Sequence, residues 1–200
     1  MEIDPRDVPW RDGYRLLIGS IVPRPIGWVS THAHGVNNIA PFSFFNAVCA
    51  SPMVVTFAPM RDSGTGDKKD TLENVEATGE FVINIVTESL LEKMDLTGVD
   101  FPPEVDEFAA VGLTAIPSRV VKPPRIAEAP VHLECRVLDV LHFGDGKAGA
   151  GSLVIGEVVH FHARDDILDD GRISLERLRP VARLGGPLYA RPQLLKYQRR

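Results

Sequence analysis

The longest hydrophobic rhythm in the chain is that of a strand. Across residues 131–143, Val131, Leu133, Cys135, Val137, Leu141 and Phe143 share one face and His132, Glu134, Arg136 and His142 the other. That period of two predicts a strand with one face packed inward and the other meeting solvent or a partner. A second long run, 153–162, follows the glycine-rich stretch 144–151, so the two predict a β-hairpin. Shorter β-rich runs at 26–31, 53–58 and 81–86, bounded by Gly, Pro, Asn or acidic residues, predict three further strands. Between them the pattern changes to a helical one. In 70–78 the Asp70 and Glu73 pair has capping-box spacing, Leu72 and Val75 share a face, and Gly79 supplies the stop. A second helix is expected from a Thr87 cap through Leu90, Leu91 and Met94 to Gly98. Pro5, Pro9 and Gly13 break the opening twenty residues into a lead-in with one helical turn near 14–18, and six prolines make 99–130 an extended excursion with a turn near 107–111. Several short antiparallel strands with inserted helices argue for a barrel or sandwich over an alternating βαβ fold.

Length and charge narrow the class. The 200 residues fit one elaborated domain spanning 1–200, with no linker interrupting it. With 44% hydrophobic and 24% charged residues the composition is that of a soluble globular protein. Lys and Arg total 22 against 27 Asp and Glu, and the net charge of −5 argues against a nucleic-acid or anionic-membrane binder. The Gln198-Arg199-Arg200 end is a small basic tail expected in solvent. An acidic, proline-bearing start and no apolar run of about 20 residues predict neither a secretory signal nor a membrane helix, hence a cytoplasmic protein. There Cys49 and Cys135 are expected as small core thiols, not a disulfide.

The informative region runs from Pro23 to Gly79 and leads into the run that Gly79 opens. It reads Arg24-Pro25-Ile26-Gly27-Trp28-Val29-Ser30-Thr31, then Asn38-Ile39-Ala40-Pro41-Phe42-Ser43-Phe44-Phe45-Asn46, then Ser51-Pro52-Met53-Val54-Val55-Thr56-Phe57, Lys69-Asp70-Thr71 and Gly79-Glu80-Phe81-Val82-Ile83-Asn84-Ile85. This ordered series, within a match over roughly 15–165, resembles the flavin reductase-like family of FMN-binding split-barrel proteins, which includes the flavoredoxins. The resemblance implies a mainly β fold, a six-stranded antiparallel Greek-key split β-barrel with inserted helices and a C-terminal extension, paired as a homodimer. It also implies FMN at the barrel rim, with Trp28, Val29, Ser30, Thr31, Ser43, Phe44, Phe45, Asn46 and Ala47 along the ring and ribityl chain, and the segment from Arg61 through Lys69 and Asp70 to Thr71 near the phosphate.

The residue chemistry is compatible with that assignment. FMN needs an anion site, a polar strip and a flat apolar wall. Thr71 and the free amides opening the 70–78 helix offer donors at the positive end of the helix dipole, with Arg61, Lys68 and Lys69 adding charge. Read without the resemblance, Lys68 and Lys69 are a solvated helix start. Trp28 is the expected stacking residue, while among Phe42, Phe44 and Phe45 at least two belong to the core. Ser43 and Asn46 suit flavin nitrogen and oxygen atoms, or simple turn chemistry.

Hydride transfer from NADH or NADPH to a flavin needs positioning more than acid or base groups, so no catalytic residue is assigned. Many reductases of this family carry an Asp-His pair before the strand that reads here as Leu153-Val154-Ile155-Gly156-Glu157-Val158. This chain has Gly149-Ala150-Gly151-Ser152 there, with no histidine. His32-x-His34 and His160-x-His162 have ligand spacing but no third partner, so no metal is expected. Cys49 lacks any activating motif and is not read as a nucleophile. Arg183 and Tyr189, in Arg183-Leu184-Gly185-Gly186-Pro187-Leu188-Tyr189, resemble a tail that returns to the flavin in some relatives, or else pack the C-terminal arm. Three functions follow: an FMN oxidoreductase using NAD(P)H with a small-molecule or protein acceptor, a flavoredoxin-like electron-transfer protein, and a non-enzymatic FMN-binding dimer.

Overall fold

The two strongest strand patterns form the spine of the fold. The computed structural model of the chain describes residues 1–195, and the basic Gln198-Arg199-Arg200 end lies outside them. The main sheet contains β1 (Gly27–Ala33), β2 (Val36–Phe42), β3 (Phe45–Ala50), β4 (Met53–Phe57), β5 (Glu80–Ile85), β6 (Val131–Phe143) and β7 (Gly151–Ala163). Its order is β2-β1-β5-β6-β7-β4-β3, all neighbours antiparallel, with β2 and β3 as edges. The sheet curls as a split barrel, mainly β with inserted helices as expected. The main sheet has seven strands where the resemblance implied six, with residues 36–50 supplying the two edge strands.

The helices are α1 (Trp10–Ser20), α2 (Asp70–Thr78), α3 (Leu91–Leu96), α4 (Glu107–Ala110) and the short α5 (Leu175–Leu178). The opening segment is therefore a full helix of 11 residues, not a single turn. Pro9 precedes its first turn, where a missing amide costs nothing, and Gly13 is tolerated. For α2 the expected bounds hold, and Gly79 ends it at φ 70° with its amide on the Val75 carbonyl at 2.9 Å. The capping box does not form: Lys69 is the N-cap residue, its carbonyl takes the Leu72 and Glu73 amides, and no side chain caps the helix.

Alternation along β1 divides the core in two. Trp28 turns outward with Ile26 to meet Val86, Leu90, Met94, Phe108 and Ile126. Val29 turns inward to Val55, Phe57, Leu72, Phe81, Leu133 and Val154, under α2. The polar face of β6 is the main departure from the expected pattern, since His132 and Glu134 are buried. The 117–126 excursion lies over them: the Arg119 and Val120 amides donate to Glu134 at 2.8 and 2.7 Å, and His162 pairs with it at 2.6 Å. Among the described residues every buried side-chain nitrogen or oxygen has a partner, so this outer polar layer adds no unpaired desolvation cost. No helix of the described residues is long and apolar enough to cross a membrane.

Candidate functional site

At the rim of the sheet, β2, the segment 58–69 and the start of α2 enclose a cleft of three adjoining chambers. The first, about 340 Å³, is lined by Asn38, Phe42, Lys68, Lys69, Asp70 and Thr71 and roofed by residues 97–103. The second, about 430 Å³, lies between Ser43, Phe44, Arg61, Trp10 and Tyr14, and shares Pro41, Phe42, Asp62, Lys69 and Asp100 with the first. A third, about 390 Å³, continues past Trp10, Tyr14, Phe44 and Met60 to Leu17, Phe143 and Leu153.

The α2 start is a donor site, but a contested one. Because the Lys69 carbonyl takes the Leu72 and Glu73 amides, the Asp70 and Thr71 amides are the ones left at the positive end of the helix. Lys69 is ion-paired with Asp100 on the roof, and Lys68 with Glu76. Asp62, which lines both the first and the second chamber, is held ionised, its carboxyl pulled down to about 2 by the Thr65 and Gly64 amides and the Thr65 hydroxyl of a tight turn. Burial raises the Asp70 carboxyl, helped by Glu73 and Asp100.

Behind the first chamber runs a buried hydrogen-bond chain. Thr71 Oγ1 donates to Asn38 Oδ1 at 2.7 Å, Thr31 Oγ1 donates to the same oxygen at 3.1 Å, and Asn74 donates to Thr31 at 3.0 Å. Glu107, from α4, accepts the Ile39 amide at 2.5 Å, and burial pushes its carboxyl up to about 7 despite that bond, with Asp70 and Asp106 adding to the rise. Nothing in a proline-rich loop marked Glu107 in advance, whereas Trp10 and Tyr14 were readable as an i, i+4 aromatic pair had α1 been recognised.

The candidate residues separate into three groups. Ser43, Phe44, Arg61, Lys69, Asp70 and Thr71 come together in the cleft. Ser43 accepts from Arg24 Nε at 3.4 Å, and the same guanidinium stands over the Phe44 ring at 5.8 Å. Trp28, Val29, Ser30 and Thr31 are fully buried behind the cleft instead. Trp28 donates its indole N–H to Thr97 at 2.9 Å within the outer core, so its ring cannot stack on a ligand in the cleft, and Ser30 donates to the Pro124 carbonyl at 2.5 Å. Phe45 packs on the inner core, and Asn46 and Ala47 are exposed along the β3 edge.

Elsewhere, Arg183 stacks over Tyr189 at 4.5 Å and the Tyr189 hydroxyl donates to Asp95 at 2.6 Å, tying the C-terminal arm to α3 away from the chambers. Burial and Asp95 push that phenol up to about 12. Among the described residues no cluster of three or more His, Cys, Asp or Glu is arranged to hold a metal. The two thiols are free; Cys135 is buried as expected, whereas Cys49 is exposed on β3 rather than in the core. A histidine does approach the Gly149–Ser152 stretch, from the opposite strand: His142 Nδ1 lies 2.9 Å from Ser152 Oγ.

An open antiparallel sheet with a helix laid across it and a cleft at its rim defines the split-barrel class of protein. The family described as Flavin reductase like domain matches residues 18–190, and the chain belongs to it. An uncharacterised protein of Halalkalibacterium halodurans is 42% identical over 194 residues, 96% of this chain and 92% of its own length. Nitrilotriacetate monooxygenase component B from Bacillus cereus superposes with a TM-score of 0.93 at 36% identity, covering 99% of this chain and 98% of that one. The 2-nitrobenzoate 2-nitroreductase NbaA of Pseudomonas fluorescens does so at 0.86 and 32%, covering 100% and 96%. The family places the chain among flavin-related redox proteins.

Proposed function

We propose that this chain holds FMN in the rim cleft and acts as an FMN-dependent oxidoreductase, reduced by NADH or NADPH and passing electrons to a small molecule or a partner protein. The observation that carries this reading is the meeting, in one cleft, of the α2 start with Lys69 and the walls formed by Phe42, Ser43 and Phe44. Those residues fit the cofactor: the Asp70 and Thr71 amides and Lys69 for the phosphate, Ser43 and Arg61 for polar edges, Phe42 and Phe44 for the ring. FMN, when bound, supplies the redox chemistry; the chain's own part is to bind, orient and keep water out.

Two consequences follow for the residues present. Phosphate must take Lys69 from Asp100, so the Asp100 roof competes with the ligand. Thr71 acts through its amide while its hydroxyl stays with Asn38, and Trp28, Val29, Ser30 and Thr31 serve by fixing β1 behind the cleft. Lys69→Ala should weaken FMN at least about ten-fold more than it weakens riboflavin, measured by calorimetry, because only FMN carries the anion. Equal weakening, or no FMN affinity in the parent protein, overturns the reading.

A flavoredoxin-like role in electron transfer, with little pyridine-nucleotide use, is favoured by one observation: no Asp-His pair stands at Gly149–Ser152. Stopped-flow bleaching of the flavin by NADH and NADPH separates the two roles. We also assign the chain to a homodimer, supported by exposed apolar residues on α1 (Leu16, Leu17) and on the β3–β4 edge (Val48, Met53). Asn46 and Ala47 on that edge then meet a ligand shared with the second copy. Its free thiols suit the reducing cytoplasm.

A further inference from the structure

We propose that the third chamber of the cleft binds a planar, uncharged, conjugated molecule beside the flavin; this assigns a ligand class to the site and rests on the FMN reading above. The chamber is walled by Trp10, Tyr14, Leu17, Phe44, Met60 and Phe143, and it opens into the second chamber across Trp10, Tyr14, Phe44 and Met60. A ligand seated there adjoins whatever ring occupies the second.

The wall is built, not incidental. Trp10 rests directly on the backbone of Gly149, where an added Cβ would lie 2.9 Å from indole Cδ2 and 3.0 Å from Cγ, so any other residue would displace the ring. Arg11 covers the indole at 5.0 Å and donates to the Ser63 carbonyl at 2.8 Å, pinning α1 to the cleft. Tyr14 meets Trp10 edge to face at 6.4 Å between centroids. Below, the Arg61 amide donates to the Ala150 carbonyl and the Ser152 amide to the Pro59 carbonyl, both at 2.9 Å, which fixes Met60 against the hairpin end.

Charge decides the class of ligand. None of the residues lining this chamber carries a charged side chain at neutral pH. A dinucleotide diphosphate placed here would lose its hydration against a lining that holds no cation, the nearest guanidiniums, Arg11 and Arg24, being stacked on the Trp10 and Phe44 rings. A neutral ring loses nothing and gains apolar contact, and Tyr14 offers a hydroxyl donor to a carbonyl or nitro oxygen. The stretch where family reductases carry an Asp-His pair thus serves here as the glycine seat of an aromatic wall.

Acetophenone, titrated calorimetrically into the FMN-loaded protein as purified, is the test, with benzoate as its charged counterpart. Saturable binding of acetophenone with benzoate at least ~10-fold weaker is the expected result. Phe143→Glu places a carboxylate at an exposed position that lines only this chamber, so folding is not at stake. It should weaken acetophenone about ten-fold while FMN affinity stays within about two-fold. Absent saturation, a variant that binds as the parent does, or acetophenone taken up only by FMN-free protein, would each overturn the proposal; the last would mean that the chamber houses the flavin's own ring. Failure to bind FMN at all would sink the earlier reading instead, and the same titration on the FMN-free protein would then decide the chamber on its own.

Discussion

Glu107 and His132 are two buried titratable side chains that pull stability in opposite directions with pH. Glu107 is raised in the folded chain to about 7 from 4.5, so the folded state binds the extra proton and stability is lost as pH rises through that window. His132 is lowered to about 4 from 6.5, first by burial and then by Arg125 and His162, so the unfolded state binds the extra proton and stability is lost as pH falls from 6.5. Between about 4.5 and 6.5 the two slopes offset each other, and above that range Glu107 acts alone. Glu107→Gln should therefore match the parent near pH 5 and exceed it at pH 8 by a few kcal/mol at most, on the order set by the shift. Urea unfolding at both pH values checks this, and parallel profiles would show that the carboxyl stays ionised in the fold. Neither residue was legible in advance as buried: His132 sits on the face of 131–143 that alternation assigned outward, and Glu107 opens the turn expected near 107–111, where no periodicity marks a buried face.

Elements with strong periodicity were legible, and those whose backbone is held by neighbours were not. The bounds of the 131–143 strand and the 70–78 helix were recovered to the residue from their periodicity and stop signals, although the strand's burial departs from its alternation: His132 and Glu134 are buried while Leu141 and Phe143 are exposed. Strands β2 and β3 were missed because Asn37, Asn38, Pro41 and Ser43 read as turn chemistry, whereas pairing with β1 and β4 fixes them as strands. The same gap hid half the cleft: the Lys69-Asp70-Thr71 end was visible, but the aromatic end depends on α1 lying against the 58–63 segment, a contact far apart in sequence. Gly156 of β7 tests how tightly the elements fit. A Cβ there would meet the Phe81 ring at 2.4 and 2.6 Å, and Phe81 is itself wedged edge to face against Phe57 at 5.2 Å. Gly156→Ala should cost about 1–3 kcal/mol by overpacking. Gly79→Ala, in open space but at positive φ, should cost only about 1 kcal/mol. Equal urea midpoints for the two variants would mean that the β5–β7 contact gives way without cost.

At the scale of the whole molecule the question is what covers the apolar surface that one chain leaves open. No residue of α1 is buried, though Leu16 and Leu17 line its flank and the exposed Ile21 follows it, and Val48 is 62% exposed on an edge strand whose outer backbone groups have no neighbour in the sheet. An isolated chain with a net charge of −5 would stay soluble, but an unprotected apolar edge is a pairing surface that natural sheets normally blunt with charge or proline. β3 carries neither, and its Asn46 and Ala47 belong to the segment that the family resemblance sets along the flavin. Pairing through this edge would therefore bring the second copy to the cleft, so that assembly and flavin binding become linked. Val48→Lys should yield a monomer in sedimentation and, if that linkage holds, weaken FMN although no cleft residue has changed. A parent chain that sediments as a monomer, or a monomeric variant with undiminished FMN affinity, would show that each cleft is complete within one chain.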